Sequence, residues 1–299
     1  MENQISKIQN QNFNCLEMER KFIEFIDVAE ETATTYKKGI KNFMDFLNEN
    51  NIQNPTRNDV LNWKKNLKDN YSINTVNTYL VAIKAFFNFL ELTNLYPNIA
   101  EYVKCAKISS LPVKNVLTLE QAKNIYNNLT DIKERAIFGL LITTGLRGIE
   151  VTNAKIEHLR EINGEICLLV KCKGHEAYDE FVKLPENVFE DIKQYIGNRR
   201  EGYIFVSSSN NNKNGGLTTK TIRLIIKNIF KRFGYQDSTL STHSLRRTFA
   251  CIAYNLGQSI YDIQTILHHK SIQTTTRYLK QADRHNNNSE KLVANAILA

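Results

Sequence analysis

The chain has 299 residues, 42% of them apolar and 23% charged, with only 12 glycines and 4 prolines. That is enough for two domains with buried cores, and it excludes general disorder, collagen-like repeats and a turn-dense all-β chain. The 39 Lys and Arg against 31 Asp and Glu leave a net charge of +8, which favours a polyanionic partner.

The positive charge is unevenly placed. Residues 1–110 carry 13 basic and 13 acidic side chains, so the whole excess belongs to residues 111–299. The five cysteines (Cys15, Cys105, Cys167, Cys172, Cys251) are odd in number and form no CxxC pair. This points away from a disulfide framework or zinc ribbon and toward a reducing compartment. No apolar run approaches the ~20 residues that span a bilayer. The opening MENQISKIQNQN lacks the basic-then-apolar plan of a signal peptide. A soluble, cytoplasmic protein is expected.

In chain order, helical spacing runs through 16–30, 32–49, 56–69 and 72–94. Ile40, Phe43, Met44 and Leu47 recur on one face, as do Tyr79, Ile83, Phe86, Phe87 and Leu90. Ser72 is a candidate N-cap. These segments predict a bundle of four or five helices over 1–110. Residues 107–117 read as an extended linker. Thr118 with Gln121 then forms a capping box that opens a second domain over 111–299. Helices are expected at about 118–129 and 131–144, the latter ending at Gly145. GEICLLV (164–170) and YDEFVKL (178–184) read as strands of a hairpin around KCKGHEA, with Tyr203–Val206 as a candidate third strand. Helices resume at 218–233, 243–256 and 259–267. An Asn-rich hinge and a short apolar helix, 289–299, close the chain.

Four groups of residues suggest chemistry on phosphate. Arg147 follows a helix-ending glycine and is expected in the first turn of a new helix, where the backbone favours anions, with Glu150 on the same face to fix its guanidinium. His243 and Arg246, three apart, share a helix face and together can grip two phosphate oxygens. His268 and His269 precede the run Thr274-Thr275-Thr276-Arg277-Tyr278, with nine residues from His269 to Tyr278. Lys171 and Lys173 stand at the hairpin turn, within reach of a ligand edge. No carboxylate or cysteine accompanies the two histidines, so a metal site is not expected.

Taken in order, TGLRxxE, a hairpin lysine, HxLRRTFA and LxHxxxxTTxxY resemble the tyrosine recombinase (phage integrase-like) family, closest to its short two-domain Xer-like members. The resemblance covers nearly the whole chain. It implies a mainly α architecture: a core-binding SAM-like helical bundle, then an α+β catalytic domain with a small three-stranded antiparallel sheet. It also implies a set of roles. Tyr278 would be the nucleophile that forms a 3′-phosphotyrosyl link to DNA. Arg147 and Arg246 would hold the scissile phosphate, and Lys173 would protonate the departing 5′-oxygen. His243 would help the tyrosine lose its proton, and His269 would hydrogen-bond the phosphate. No cofactor is implied.

Some features depart from the family pattern. His268 stands where a glycine is common. KCKG replaces the commoner GKG, so Lys171 rivals Lys173. Arg247 stands where many relatives have His and is assigned to DNA backbone or structure. The partners implied are double-stranded DNA and further copies of the chain, a tetramer on DNA, with the 289–299 helix docking either on a neighbour or on its own domain. The alternatives are DNA relaxation in the manner of a type IB topoisomerase, and a non-catalytic DNA-binding protein on the same scaffold. Lys220, Arg223 and Lys227, at helical spacing, are candidate DNA contacts.

Overall fold

A computed structural model describes residues 15–107, 115–172, 177–208, 212, 215–235, 240–286 and 289–298. The chain divides into two compact units, Met1–Ser109 and Ser110–Ala299. Residues 108–114, the middle of the expected linker, lie outside the described residues. No helix among the described residues is long and apolar enough to cross a membrane.

The first unit contains four described helices: α1 (Cys15–Phe25), α2 (Glu30–Glu49), α3 (Arg57–Asn70) and α4 (Ile73–Leu92). The first ends sooner than its apolar spacing suggested. Glu30 and Glu31 instead open α2, where the helix N-terminus favours carboxylates. Thr56 starts α3, its backbone N–H donating to Asp59 Oδ2 at 2.8 Å. Ser72 caps α4 by accepting from the Thr75 N–H at 3.3 Å. The most apolar helix, α4, lies at the centre, with Val76, Leu80, Ile83, Phe86, Phe87 and Leu90 fully buried. Gly39 lets α2 approach it, since a Cβ there would stand 3.0 Å from the Ala82 Cβ. Trp63 is buried and spends its one donor on Asn42 Oδ1 at 2.9 Å. Asn77 then holds the chain after α4, exchanging two 2.8 Å hydrogen bonds with the Ala106 backbone.

The second unit begins with α5 (Leu119–Asn128), capped by the expected Thr118–Gln121 box. α6 (Ile132–Thr144) starts at Asp131, which accepts from the Glu134 N–H at 2.8 Å. Ala136, Ile137, Phe138, Leu140 and Leu141 have no exposed surface, so α6 is buried all round and forms the core of this unit. Asp191 is buried beside it and satisfied twice, by the Tyr126 hydroxyl at 2.7 Å and Arg135 Nε at 2.9 Å. Burial and this carboxylate push the Tyr126 phenol up to about 12. The short α7 (Gly148–Thr152) follows, then a three-stranded antiparallel sheet in the order β1-β2-β3.

The sheet corrects one expectation. Its members are β1 (Leu159–Ile162), β2 (Glu165–Val170) and β3 (Glu180–Lys183). Tyr203–Val206 forms only isolated bridges, Lys155 with Tyr203 and Val206 with Gly216. The Arg199 guanidinium takes the Tyr203 and Ile204 carbonyls at 2.7 and 2.8 Å. Those acceptors are therefore already occupied in part. The strand missed in the sequence is β1, only four residues long. Its signal was Asn163-Gly164: with φ of 53° and 78°, both residues take the left-handed conformation of a two-residue hairpin turn.

The remaining helices are α8 (Glu186–Ile196), α9 (Thr219–Arg232), α10 (Thr242–Asn255), α11 (Ile260–Ile266), α12 (Ile272–Asn286) and α13 (Ser289–Leu298). α12 was not expected. Its three successive threonines hide a sparse stripe of Thr275 and Leu279, both fully buried. A second apolar cluster, of Ala250, Cys251, Ile263, Leu267 and Leu279, ties α10, α11 and α12 together.

Gly145 ends α6 at φ 66°, and a Cβ there would stand 2.6 Å from Leu267 Cδ2 and 2.8 Å from Phe249 Cδ1. Gly145→Ala should therefore cost about 2–4 kcal/mol, combining left-handed strain with overpacking. Gly164→Ala, at φ 78° with nothing within 4 Å, should cost only about 1–2 kcal/mol. Urea unfolding of the two variants checks the difference.

Candidate active site

The site forms where the ends of α6, α7, α10, α11 and α12 meet. Arg246 lies in the second turn of α10, and its side chain is only 1% exposed. A buried guanidinium requires acceptors. Nη1 donates to the Gly145 carbonyl at 2.6 Å, and Nη2 donates to the Leu267 carbonyl. The left-handed turn at Gly145 thus aims a carbonyl at the site as well as ending a helix.

Glu150 in α7 is fully buried and serves two cations. Its Oε1 accepts from Arg147 Nη1 at 2.7 Å, and its Oε2 lies 3.9 Å from Arg246 Nη1. Oε2 also accepts the Arg147 backbone N–H at 2.7 Å. This corrects the expectation for Arg147. The residue is the N-cap of a five-residue helix, not a member of its first turn, and its N–H is already used. Only the side chain, 22% exposed, can meet a ligand. Two guanidiniums share this one buried carboxylate. Burial first, and then Arg147, bring Arg246 down to about 10, so it stays charged at neutral pH.

His269 is buried, and its Nδ1 lies 2.9 Å from the Thr275 hydroxyl one turn into α12. Burial, then Arg246, Arg147 and His268, hold its pKa down to about 4, so the ring is neutral at physiological pH. With the Thr275 hydroxyl donating to Nδ1, the ring proton sits on Nε2 and can be offered to an anion. Tyr278, partly buried on α12, packs edge-on against His269 with ring centroids 5.3 Å apart. Its hydroxyl faces Arg246 closely enough to raise the guanidinium's proton affinity. Arg247 Nε and Cys251 Sγ donate to the Tyr278 carbonyl at 3.4 and 3.5 Å. These contacts fix the backbone that carries the phenol.

Arg147, Arg246, His269 and Tyr278 are thus brought together. His243 stands exposed in the first turn of α10, one turn before Arg246. Lys173 lies outside the described residues. Its neighbour Cys172 is buried and lines the cavity with Arg147, Glu180, His268 and His269. Burial, then Glu150 and Glu180, push the Cys172 thiol up to about 11, so it is no rival nucleophile at neutral pH. Among the described residues no group of three His, Cys, Asp or Glu could hold a metal ion.

Sequence reasoning missed Thr275 and gave His268 no role. The Thr275 signal is its place one turn before the tyrosine. His268 follows the C-cap of α11 at φ 47°, its N–H bonding to the Thr265 carbonyl and that of His269 to Gln264. This is a Schellman closure, in which glycine is the usual residue; a side chain in the left-handed region costs about 1–2 kcal/mol.

Comparison with known proteins identifies the family. The model of the phage integrase family matches residues 115–285, and that of the phage integrase N-terminal SAM-like domain matches 21–94. The chain is 30% identical over 279 residues to the tyrosine recombinase XerA of Pyrococcus horikoshii, covering 89% of this chain and 93% of the relative. It is 30% identical over 274 residues to XerA of Pyrococcus furiosus, with 90% and 91% covered. Among solved structures, the XerH site-specific recombinase bound to palindromic difH substrate matches with a TM-score of 0.72 at 18% identity, over 98% of this chain and 89% of that one. A lambda integrase dimer bound to a COC′ core site matches with a TM-score of 0.70 at 16% identity, over 88% and 76%. These two structures share the fold. The chain belongs to the phage integrase family, and it is a tyrosine recombinase.

The neutral His269 sets a stability trend. From its ordinary 6.5 down to about 4, the unfolded chain binds a proton that the folded chain does not. Stability should therefore fall on acidification through that window and level off below it. His269→Gln should lose about 2–3 kcal/mol less between pH 7 and pH 4.5 than the unaltered chain, measured by urea unfolding at the two pH values.

Proposed function

We propose that this chain is a site-specific DNA recombinase in which Tyr278 cleaves and rejoins duplex DNA. The observation that carries this reading is the shared pocket of Arg147, Arg246, His269 and Tyr278, with two guanidiniums set against one buried carboxylate. A phosphodiester monoanion suits two neighbouring guanidiniums. The DNA in the XerH and lambda integrase complexes supports the choice of polymer.

The chemistry follows from the parts. The Tyr278 oxygen attacks the phosphorus, its proton passing toward His243. A 3′-phosphotyrosyl bond forms, and the bond to the 5′-oxygen breaks. Lys173 supplies the proton to that oxygen, which is otherwise a poor leaving group; such assistance is worth roughly 10²–10⁴-fold. Arg147, Arg246 and the Nε2–H of His269 meet the charge that grows on the non-bridging oxygens. The covalent link conserves the phosphodiester bond energy, so a 5′-hydroxyl from a second duplex can reverse the reaction without a nucleotide cofactor. Repeating this on paired sites exchanges strands through a Holliday junction.

Residues 1–110 serve as the core-binding domain and 111–299 as the catalytic domain. The exchange unit is a tetramer on DNA. In α13, Val293, Ile297 and Leu298 are exposed apolar residues. A ten-residue helix is not stable alone in water, so this segment docks on another copy. On α9, Lys220, Arg223 and Lys227 are exposed and contact the DNA backbone or its bases.

A duplex nicked near the cleavage point traps the covalent adduct by releasing a short strand. The unaltered chain should form it, and Tyr278→Phe should form none while unfolding at the same urea concentration within about 1 kcal/mol. Arg246→Ala should slow adduct formation by at least about 10²–10³-fold. Absence of adduct from the unaltered chain on any site-bearing duplex would overturn the reading. Recombination between two sites separates strand exchange from simple relaxation. Affinity for duplex DNA should also fall steeply with salt, by about 10³–10⁵ between 50 and 200 mM for six to ten neutralised phosphates, as read by fluorescence anisotropy.

A further inference from the structure

One ionisable side chain in the pocket has no place in the chemistry above. His268 occupies the left-handed position after α11, φ 47°, where a side chain is disfavoured. Its side chain is nonetheless only 10% exposed and lines the same cavity as Arg147 and His269. Nδ1 lies 3.2 Å from Glu180 Oε2 at the start of β3. Nε2 is buried and has no hydrogen-bond partner among the described residues. A buried polar nitrogen without a partner calls for a reason.

We propose that Nε2 of His268 is a further contact to the scissile phosphate, made when DNA binding protonates the ring. This rests on the functional reading above. Glu180 Oε2 stands 3.2 Å from Nδ1 and can only accept there, as a phosphate oxygen can only accept at Nε2. A ring flanked by two acceptors must carry a proton on each nitrogen, so the contact requires the imidazolium.

The charges facing the ring decide when that proton is bound. Glu180 from β3 and Glu150 from α7 favour it; Arg147 at the start of α7 and Arg246 from α10 oppose it. Cys172 beyond β2 and the adjacent His269 also line the cavity, and both are uncharged at neutral pH; Tyr261 from α11 and Lys270 after it complete the titratable groups there among the described residues. In the free protein, burial and the arginines lower the His268 pKa below the ordinary histidine value, which favours the neutral ring. A phosphodiester entering between the arginines adds a negative charge, which offsets them and draws a proton onto the ring. The enzyme therefore takes up one proton as it engages DNA.

The test compares single-turnover adduct formation on the nicked duplex by the unaltered chain, His268→Asn and His268→Gly, from pH 6.0 to 8.5. Asparagine tolerates the left-handed backbone and can still donate to Glu180, but it has no Nε2 proton. Glycine removes the side chain and the backbone cost together, so neither variant should unfold at a lower temperature. The ratio of the unaltered rate to each variant's rate cancels the ionisations of Tyr278, Lys173 and His243, which all three chains share. That ratio should be about tenfold at pH 6.0, the worth of one charge-assisted hydrogen bond, and should shrink toward one by pH 8.5. A ratio that stays constant with pH, or a glycine variant as fast as the unaltered chain at pH 6.0, overturns the role of His268 alone. No adduct from any of the three overturns the functional reading on which it rests.

Discussion

Glu150 stands between two guanidiniums, and much of the second unit is arranged to keep it there. A carboxylate with no exposed side-chain surface costs several kcal/mol unless its oxygens are all used. Here one oxygen takes Arg147 Nη1, and the other takes the Arg147 backbone N–H and faces Arg246 at 3.9 Å. At that distance, and an effective dielectric of about 20, the attraction to Arg246 is on the order of 4 kcal/mol. The two guanidiniums that share this carboxylate also bear on the two histidines. Burial and the positive charge of the arginines lower both pKa values, that of His269 to about 4, so that ring is neutral at physiological pH.

The same economy governs the main chain. Arg246 stands 3.9 Å from the carboxylate, and its Nη1 and Nη2 donate instead to the Gly145 and Leu267 carbonyls. Both come from helix ends, where carbonyls are free of intrahelical partners. The site is therefore a convergence of termini: the end of α6, the start of α7, the start of α10, and the turn from α11 to α12. Each terminus must be held in place by packing elsewhere. Leu267 and Leu279, both fully buried, do this for the turn and for the tyrosine helix.

What could be read in the residues follows from how local the cause is. Capping at Ser72 and Thr118, and the stop at Gly145, depend on neighbours within four positions and were legible. The order of Arg147, Arg246, His269 and Tyr278 was legible as a pattern, because the chemistry restricts the residue types. β1 was not, since four residues carry too little alternation, although the Asn163-Gly164 turn announced it. α12 was obscured by Thr274-Thr275-Thr276, whose β-branched side chains disfavour helices in isolation. Burial of Thr275 and Leu279 against α10 and α11 overrides that preference, and no count of local propensity contains it.

The amino-acid order by itself determined a basic, mainly helical chain in two parts, with the arginines, paired histidines and tyrosine of the candidate site in the second. These follow from composition, helical period and residue chemistry, which act over a few positions. Only the tertiary structure decided that Arg147 and Arg246, 99 residues apart in the sequence, share one carboxylate. It alone placed Glu180 against His268 and left Nε2 of that ring buried without a partner among the described residues. The reason is that burial and electrostatic coupling are properties of distance in space. A sequence names the charges, but only the fold sets how far apart they stand and how much water lies between them.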